Sequence, residues 1–200
     1  MNFRNLRILC IFAHREDHVL FGWPILQYKY ENKYLFIVSN DAMDIITKSC
    51  ANWNVNYRGP GILENSFSIN KIPCAYQIIR NKIKSLIGEI KPDYIFTHNP
   101  IGEYGHYDHR MVFEVIYNET KTPIIINDIL ASSSYYNNFE KIPLLFKNLY
   151  INKICKVNPN IKFYNDNREL FIKNDKWTNN NSLNPPLFPR STSLYEINTR

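Results

Sequence analysis

Between Leu6 and Asn127, short apolar runs alternate with longer segments whose apolar residues recur at helical spacing. A buried parallel strand can only be followed by a crossover, usually a helix, so this alternation implies an α/β chain with a mainly parallel sheet. Leu6–Ala13, Tyr34–Val38, Val55–Tyr57, Tyr94–Thr97 and Pro123–Asn127 read as strands. Helices are expected over His18–Tyr30, Ala42–Ala51, Ala75–Ile90 and Tyr107–Tyr117. Ala75–Ile90 has the clearest periodicity, through Ile78, Ile79, Ile83, Leu86, Ile87 and Ile90. Pro24 must sit in the first turns of its helix or kink it, and Asp41 is placed to cap the helix from Ala42. Arg58–Ser68, with Gly59, Pro60 and Gly61, reads as a loop.

The expected fold is a single-domain, Rossmann-like three-layer sandwich over residues 1–200, with its core in 6–130 and a C-terminal elaboration in 131–200. After Ser132 the pattern weakens. Phe139–Tyr150 reads as a helix, and Asn158–Asn167 and Asn174–Pro189, rich in Asn and Pro, as loops. No Gly-x-Gly-x-x-Gly follows the first strand, which argues against a dinucleotide.

The charge of +6 is spread along the chain. It suits a solvated basic surface or an anionic substrate or membrane surface. There is no basic stripe with interleaved aromatics, so nucleic acid is not expected. Cys10, Cys50, Cys74 and Cys155 form no Cys-x-x-Cys pair and read as reduced, mostly buried thiols. The apolar run Ile8–Ala13 is too short for a signal-peptide core, and no stretch is long enough to span a bilayer. A cytoplasmic protein is expected, free or peripheral at a membrane surface.

All five histidines fall in two windows. His14 and His18 lie in Ala13-His14-Arg15-Glu16-Asp17-His18; His98, His106 and His109 lie between Thr97 and His109. Both windows hold carboxylates and directly follow expected strands, at the ends where open α/β sheets build their sites. Imidazole with carboxylate is the ligand set of zinc and the usual means of proton transfer. His14 and Asp17 are spaced to reach one metal, with Glu16 facing the open side. His106 and His109 share a helix face, and Asp108 can orient a neighbouring imidazole. His98 reads as pocket wall or as a backbone-bonding residue. His18 reads as an extra ligand, a substrate contact or a surface residue. Trp23 and the tyrosines belong to core or rim.

Ala13-His14-Arg15-Glu16-Asp17-His18, and later Thr97-His98-Asn99-Pro100 with Gly102-Glu103-Tyr104-Gly105-His106-Tyr107-Asp108-His109, resemble the LmbE-like, or PIG-L, family of zinc-dependent de-N-acetylases. That family carries Ala-His-Pro-Asp-Asp-Glu after its first strand and a later His-x-Asp-His. The resemblance runs from Leu6 to about Asn127. It implies one Zn2+ per chain, held by His14, Asp17 and His109, with other divalent ions, iron among them, suiting similar ligands. It implies Glu16 as general base, His106 as oxyanion stabiliser or proton donor, and Asp108 as the residue orienting His106. The implied reaction is hydrolysis of the N-acetyl group of an N-acetylglucosamine-type conjugate, a small-molecule or lipid-linked amino sugar. Arg15, His18, His98 and Tyr104 are the expected substrate contacts. Pro is replaced by Arg15, Asp by Glu16 and Glu by His18. The alternatives are a non-catalytic sugar-binding relative and a metal-dependent amidase or deformylase on another substrate.

Overall fold

The computed structural model describes residues 3–39, 43–59, 61, 69, 72–103, 105–127, 150–173 and 192–198. In chain order the elements that position the site are β1 (Ile8–His14), α1 (Asp17–Leu20), α2 (Trp23–Leu26), β2 (Lys33–Ser39), α3 (Met43–Asn52), β3 (Asn56–Tyr57), α4 (Ala75–Ile90), β4 (Tyr94–Thr97), α5 (Tyr107–Glu119), β5 (Ile124–Asn127), β6 (Tyr150–Val157), α6 (Ile161–Lys173) and β7 (Thr192–Asn198). They build one seven-stranded sheet in the order β3-β2-β1-β4-β5-β7-β6. The first five strands are parallel, and β7 is antiparallel to both β5 and β6.

The sheet is covered on both faces because β1 is buried on both. Ile8, Cys10 and Phe12 point into a core shared with α1, α2, α3 and α6 through Val19, Trp23, Ile46 and Phe163. Leu9, Ile11 and Ala13 point the other way, against Ile79, Ile83 and Leu86 of α4 and Val112 and Ile116 of α5. The strand period of two divides one apolar run between two layers of helices, giving the expected sandwich.

Three expectations need correction. His18–Tyr30 is not one helix: it breaks at Phe21–Gly22 into α1 and α2, and Pro24 sits in the first turn of the second. Gly22 packs so closely that a Cβ there would lie 2.6 Å from the carbonyl oxygen of His18. Asn158–Asn167 is not a loop throughout, because α6 takes over from Ile161. Asn160 starts it, its Oδ1 accepting the N–H groups of Lys162 (3.0 Å) and Phe163 (3.3 Å) as a helix cap does. Tyr150 opens a strand rather than closing a helix; residues 139–149, like Asp41, 62–68 and 174–189, lie outside the described residues. The cysteines are all free, with Cys10 and Cys50 buried but Cys74 exposed. No helix among the described residues is long and apolar enough to cross a membrane.

Candidate metal centre

β1, β2 and β3 proceed one way across the sheet, β4 and β5 the other, so the order reverses between β1 and β4. The crevice at such a reversal, beyond the carboxyl ends of the strands, is where open α/β sheets bind ligands. β1 ends there in His14 and β4 ends in Thr97, followed by His98. The Thr97 hydroxyl donates to the Ile11 carbonyl at 2.8 Å and ties the two strand ends together. After His14 the chain turns through Arg15 and Glu16 into α1, and Asp17 Oδ2 accepts the His14 N–H at 2.7 Å.

The second window is shaped by a tight loop. Asn99 Oδ1 accepts the N–H groups of Ile101 (3.0 Å) and Glu103 (3.2 Å). Gly102 (φ 76°), Glu103 (φ 57°) and Gly105 (φ 89°) are left-handed. Gly102 is required twice over, because a Cβ would also meet the His106 carbonyl oxygen at 2.5 Å. His106 then caps α5, its Nδ1 accepting the Asp108 N–H at 3.2 Å. That fixes the proton of a neutral His106 on Nε2. The first turn of α5 carries Asp108 and His109 inward, both buried.

The two windows meet. His14 Nδ1 lies 3.2 Å from His109 Nε2, His14 Nδ1 lies 3.4 Å from Asp17 Oδ2, and His109 Nε2 lies 3.4 Å from the same oxygen. Tetrahedral zinc with bonds of about 2.0–2.1 Å separates its ligand atoms by about 3.3–3.4 Å. The triangle of donor atoms therefore has the edge length of one face of a zinc tetrahedron, and its donor types are those zinc takes. The side chains of His14, His106 and His109, and of Asp17, His98 and His109, form overlapping groups able to hold an ion.

Electrostatics agree. Burial disfavours a charged His14, yet the neighbouring Asp108 and Asp17 outweigh it and lift its pKa to about 10. Burial would raise Asp17, but His109 and His14 hold it well below the carboxylate range. Burial pushes the His109 pKa down and favours its neutral ring, while the negative charge of Asp17 and Asp108 that lifts His14 favours a divalent cation as well.

Carboxylates also stand behind the triangle. Asp108 Oδ2 lies 3.1 Å from His14 Nε2 and accepts the Ile69 N–H at 3.0 Å. Asp108 was expected to orient His106; its carboxylate instead holds His14, and its backbone N–H meets His106. The reason is positional, since Asp108 is the second residue of α5 while His106 caps it. Glu103 Oε2 lies 2.7 Å from His109 Nδ1 and 3.0 Å from His98 Nδ1. Such carboxylate–imidazole pairs set ring orientation and raise ligand basicity.

Glu16 lies on the more open side, half-buried, and its Oε2 has no hydrogen-bond partner among the described residues. Burial and the adjacent Asp17 push its pKa up. Arg15 is buried beside it, with Nε 3.9 Å from Glu16 Oε2. His98 takes up backbone bonding at the pocket wall: its Nε2 accepts the Ala13 N–H at 3.0 Å. Burial disfavours its charge, but Glu103 and Asp17 lift its pKa to about 9. A second proton would have to displace the Ala13 N–H, and that hydrogen bond decides for the neutral ring. His18 is not brought to the cluster. It is buried, with Nδ1 on the Arg15 carbonyl (2.7 Å) and Nε2 on Ser49 Oγ (3.2 Å), which corrects its expected place among substrate contacts. Tyr104 lies outside the described residues. Glu103 was given no role from sequence; the one available signal was an acid inside the second histidine window.

No family model matches the chain. An uncharacterised protein, L374 of Acanthamoeba polyphaga mimivirus, is 22% identical over 191 residues, covering 84% of this chain and 80% of that protein. The solved structure of the A40926 pseudoaglycone deacetylase Dbv21 superposes with a TM-score of 0.62 at 16% identity, covering 98% of each chain. A deacetylase of teicoplanin biosynthesis in complex with teicoplanin gives 0.58 at 11% identity, over 96% of this chain and 97% of that one. The zinc-inhibited form of the teicoplanin deacetylase Orf2 gives 0.57 at 14% identity, with the same coverage. This chain has the LmbE-like fold of those deacetylases.

Proposed function

We propose that this protein is a divalent-metal-dependent hydrolase that removes the N-acetyl group from an N-acetylated amino sugar. The observation that carries the reading is the triangle of His14 Nδ1, Asp17 Oδ2 and His109 Nε2, whose 3.2–3.4 Å edges match a zinc site. Zinc, or a similar ion, would be held by these three residues. When bound, it supplies Lewis acidity toward the amide carbonyl and the attacking water.

The chain's own groups do the rest. Glu16, whose Oε2 accepts no hydrogen bond among the described residues and whose pKa is raised, takes the proton of the water as its oxygen adds to the acetyl carbon. His106 carries its proton on Nε2 and donates a hydrogen bond toward the developing oxyanion. The carbon–nitrogen bond then breaks, the proton held by Glu16 passes to the leaving amine, and acetate and a free amine remain. Asp108 fixes His14 throughout. The buried Arg15 beside Glu16 adds positive charge near the pocket and favours a phosphate or carboxylate on the substrate. N-acetylglucosamine conjugates, small or lipid-linked, are the first candidates, in glycan or glycolipid assembly in the cytoplasm.

The deciding experiment is acetate release from a panel of N-acetylglucosamine conjugates by the zinc-loaded protein, beside Asp17→Ala and His109→Ala. Release by the wild type alone supports the reading. Saturable glycan binding without release moves it to a non-catalytic sugar-binding protein. Release from other amides only moves it to an amidase or deformylase.

A further inference from the structure

Glu103 is fully buried, yet its carboxylate is committed three times. Oε1 accepts the Asn99 N–H at 3.0 Å. Oε2 faces both His98 Nδ1, at 3.0 Å, and His109 Nδ1, at 2.7 Å. The two rings lie parallel on that one oxygen, centroids 3.8 Å apart and planes 13° apart. The residue is also left-handed at φ 57°, a conformation that disfavours side chains other than Gly and that persists only when the surroundings impose it.

The hydrogen bonds determine where the protons sit. His98 Nε2 accepts the Ala13 N–H at 3.0 Å, nearer than Asp17 Oδ2 at 3.3 Å, and with that N–H aimed at its lone pair the His98 proton is on Nδ1. An ionised carboxylate only accepts, so the His109 proton facing Oε2 is also on Nδ1. That leaves the lone pair of His109 Nε2 directed at Asp17 and His14.

We propose that Glu103 is the positioning residue of the metal centre. One carboxylate fixes the tautomers of two imidazoles, so that His109 presents a lone pair to the ion while His98 holds the end of β1 through Ala13. The inference rests on the metal reading above and adds a residue to it. An amide cannot replace this group. If Gln turns its NH2 toward the imidazoles, it meets two N–H donors; if it turns it toward Asn99, it meets a third.

Two measurements test this. The first is the 15N chemical shifts of the ring nitrogens in the metal-free wild type, which report the tautomers. Both His98 and His109 are expected to be protonated on Nδ1; protonation of His109 on Nε2 overturns the inference. The second is zinc affinity by competition with a chelating chromophore for wild type and Glu103→Gln, with thermal unfolding of the metal-free forms alongside. A loss of about 10- to 100-fold in affinity by a folded variant is expected. Unchanged affinity in a folded but less stable variant means that Glu103 only supports the loop, and overturns it. If Glu103→Gln does not fold, the wild-type tautomers decide. A wild type that binds no zinc sinks the proposed function, and the tautomers still decide the placing of the protons.

Discussion

Replacing Asp17 by Asn removes one negative charge and almost no volume. The amide oxygen can still accept the His14 N–H that Asp17 Oδ2 takes at 2.7 Å, so the turn from β1 into α1 keeps its fastening. What is lost is the anionic corner of the triangle, 3.4 Å from both His14 Nδ1 and His109 Nε2. Structural zinc sites with four protein ligands bind with about 10–16 kcal/mol, about 3 kcal/mol per ligand if shared equally. At about 1.4 kcal/mol per decade, one lost ligand is worth about 100-fold in affinity. The assay is competition for zinc against a chelating chromophore at neutral pH, with circular dichroism of the zinc-free forms to show that the fold is kept. An affinity within a factor of about three of wild type would refute the placing of Asp17 in the ligand set.

Further outcomes are expected. Glu16→Gln should keep its zinc while acetate release falls by about 100- to 10,000-fold, the range for a general base; loss of zinc instead would make Glu16 a ligand. Gly102→Ala forces a Cβ to within 2.5 Å of the His106 carbonyl at φ +76° and should cost about 1–3 kcal/mol in urea unfolding; an unchanged midpoint would mean that the loop relaxes freely. Lys33 is buried with its ammonium on the carbonyls of Leu26, Tyr28 and Trp53, and burial pushes its pKa down from 10.5 to about 8. The unfolded chain therefore binds more protons between those two values, and the stability of the wild type relative to Lys33→Met should rise with pH across that window by about 2–3 kcal/mol; a flat difference would contradict the burial effect. In the native state a thiol reagent should modify exposed Cys74 readily and leave Cys10 and Cys50, whose pKa values burial pushes up, until unfolding; fast reaction of Cys10 would contradict the core.

The parallel half of the sheet was legible because β1, β2, β4 and β5 are buried almost throughout and read as apolar runs, with only the two-residue β3 exposed at the edge. Ala75–Ile90 was read to the residue because its apolar stripe is unambiguous. The antiparallel half was hidden for physical reasons. β6 carries Lys153 and Lys156, and β7 carries Glu196, so neither is a continuous apolar run. α6 is rich in Asn, and its stripe of Phe163, Tyr164 and Leu170 interleaves with charged residues. In the site, histidine clustering brought the two windows to attention. Glu103 and the grip of Asp108 on His14 were not legible, since both depend on a left-handed loop and on the meeting of two strand ends.

The altered first motif acquires a physical account from the same contacts. Where the LmbE-like pattern has an acid, this chain has His18, and a buried carboxylate there could not donate to the Arg15 carbonyl. His18 does so at 2.7 Å and holds the turn that carries Glu16 and Asp17. Burial lowers its pKa to about 4, so the ring stays neutral and adds no positive charge next to Asp17. Its other nitrogen meets Ser49 of α3, and the Ser49 hydroxyl in turn meets Asn167 of α6, which is itself fixed on the Phe163 carbonyl at 2.7 Å. The turn after β1 is thereby braced from two helices, one of them in the C-terminal region whose sequence carried the weakest signal. The single proton of the Ser49 hydroxyl goes to Asn167 Oδ1, so the bond to the Arg15 carbonyl, rather than the contact with Ser49, is what anchors a neutral His18.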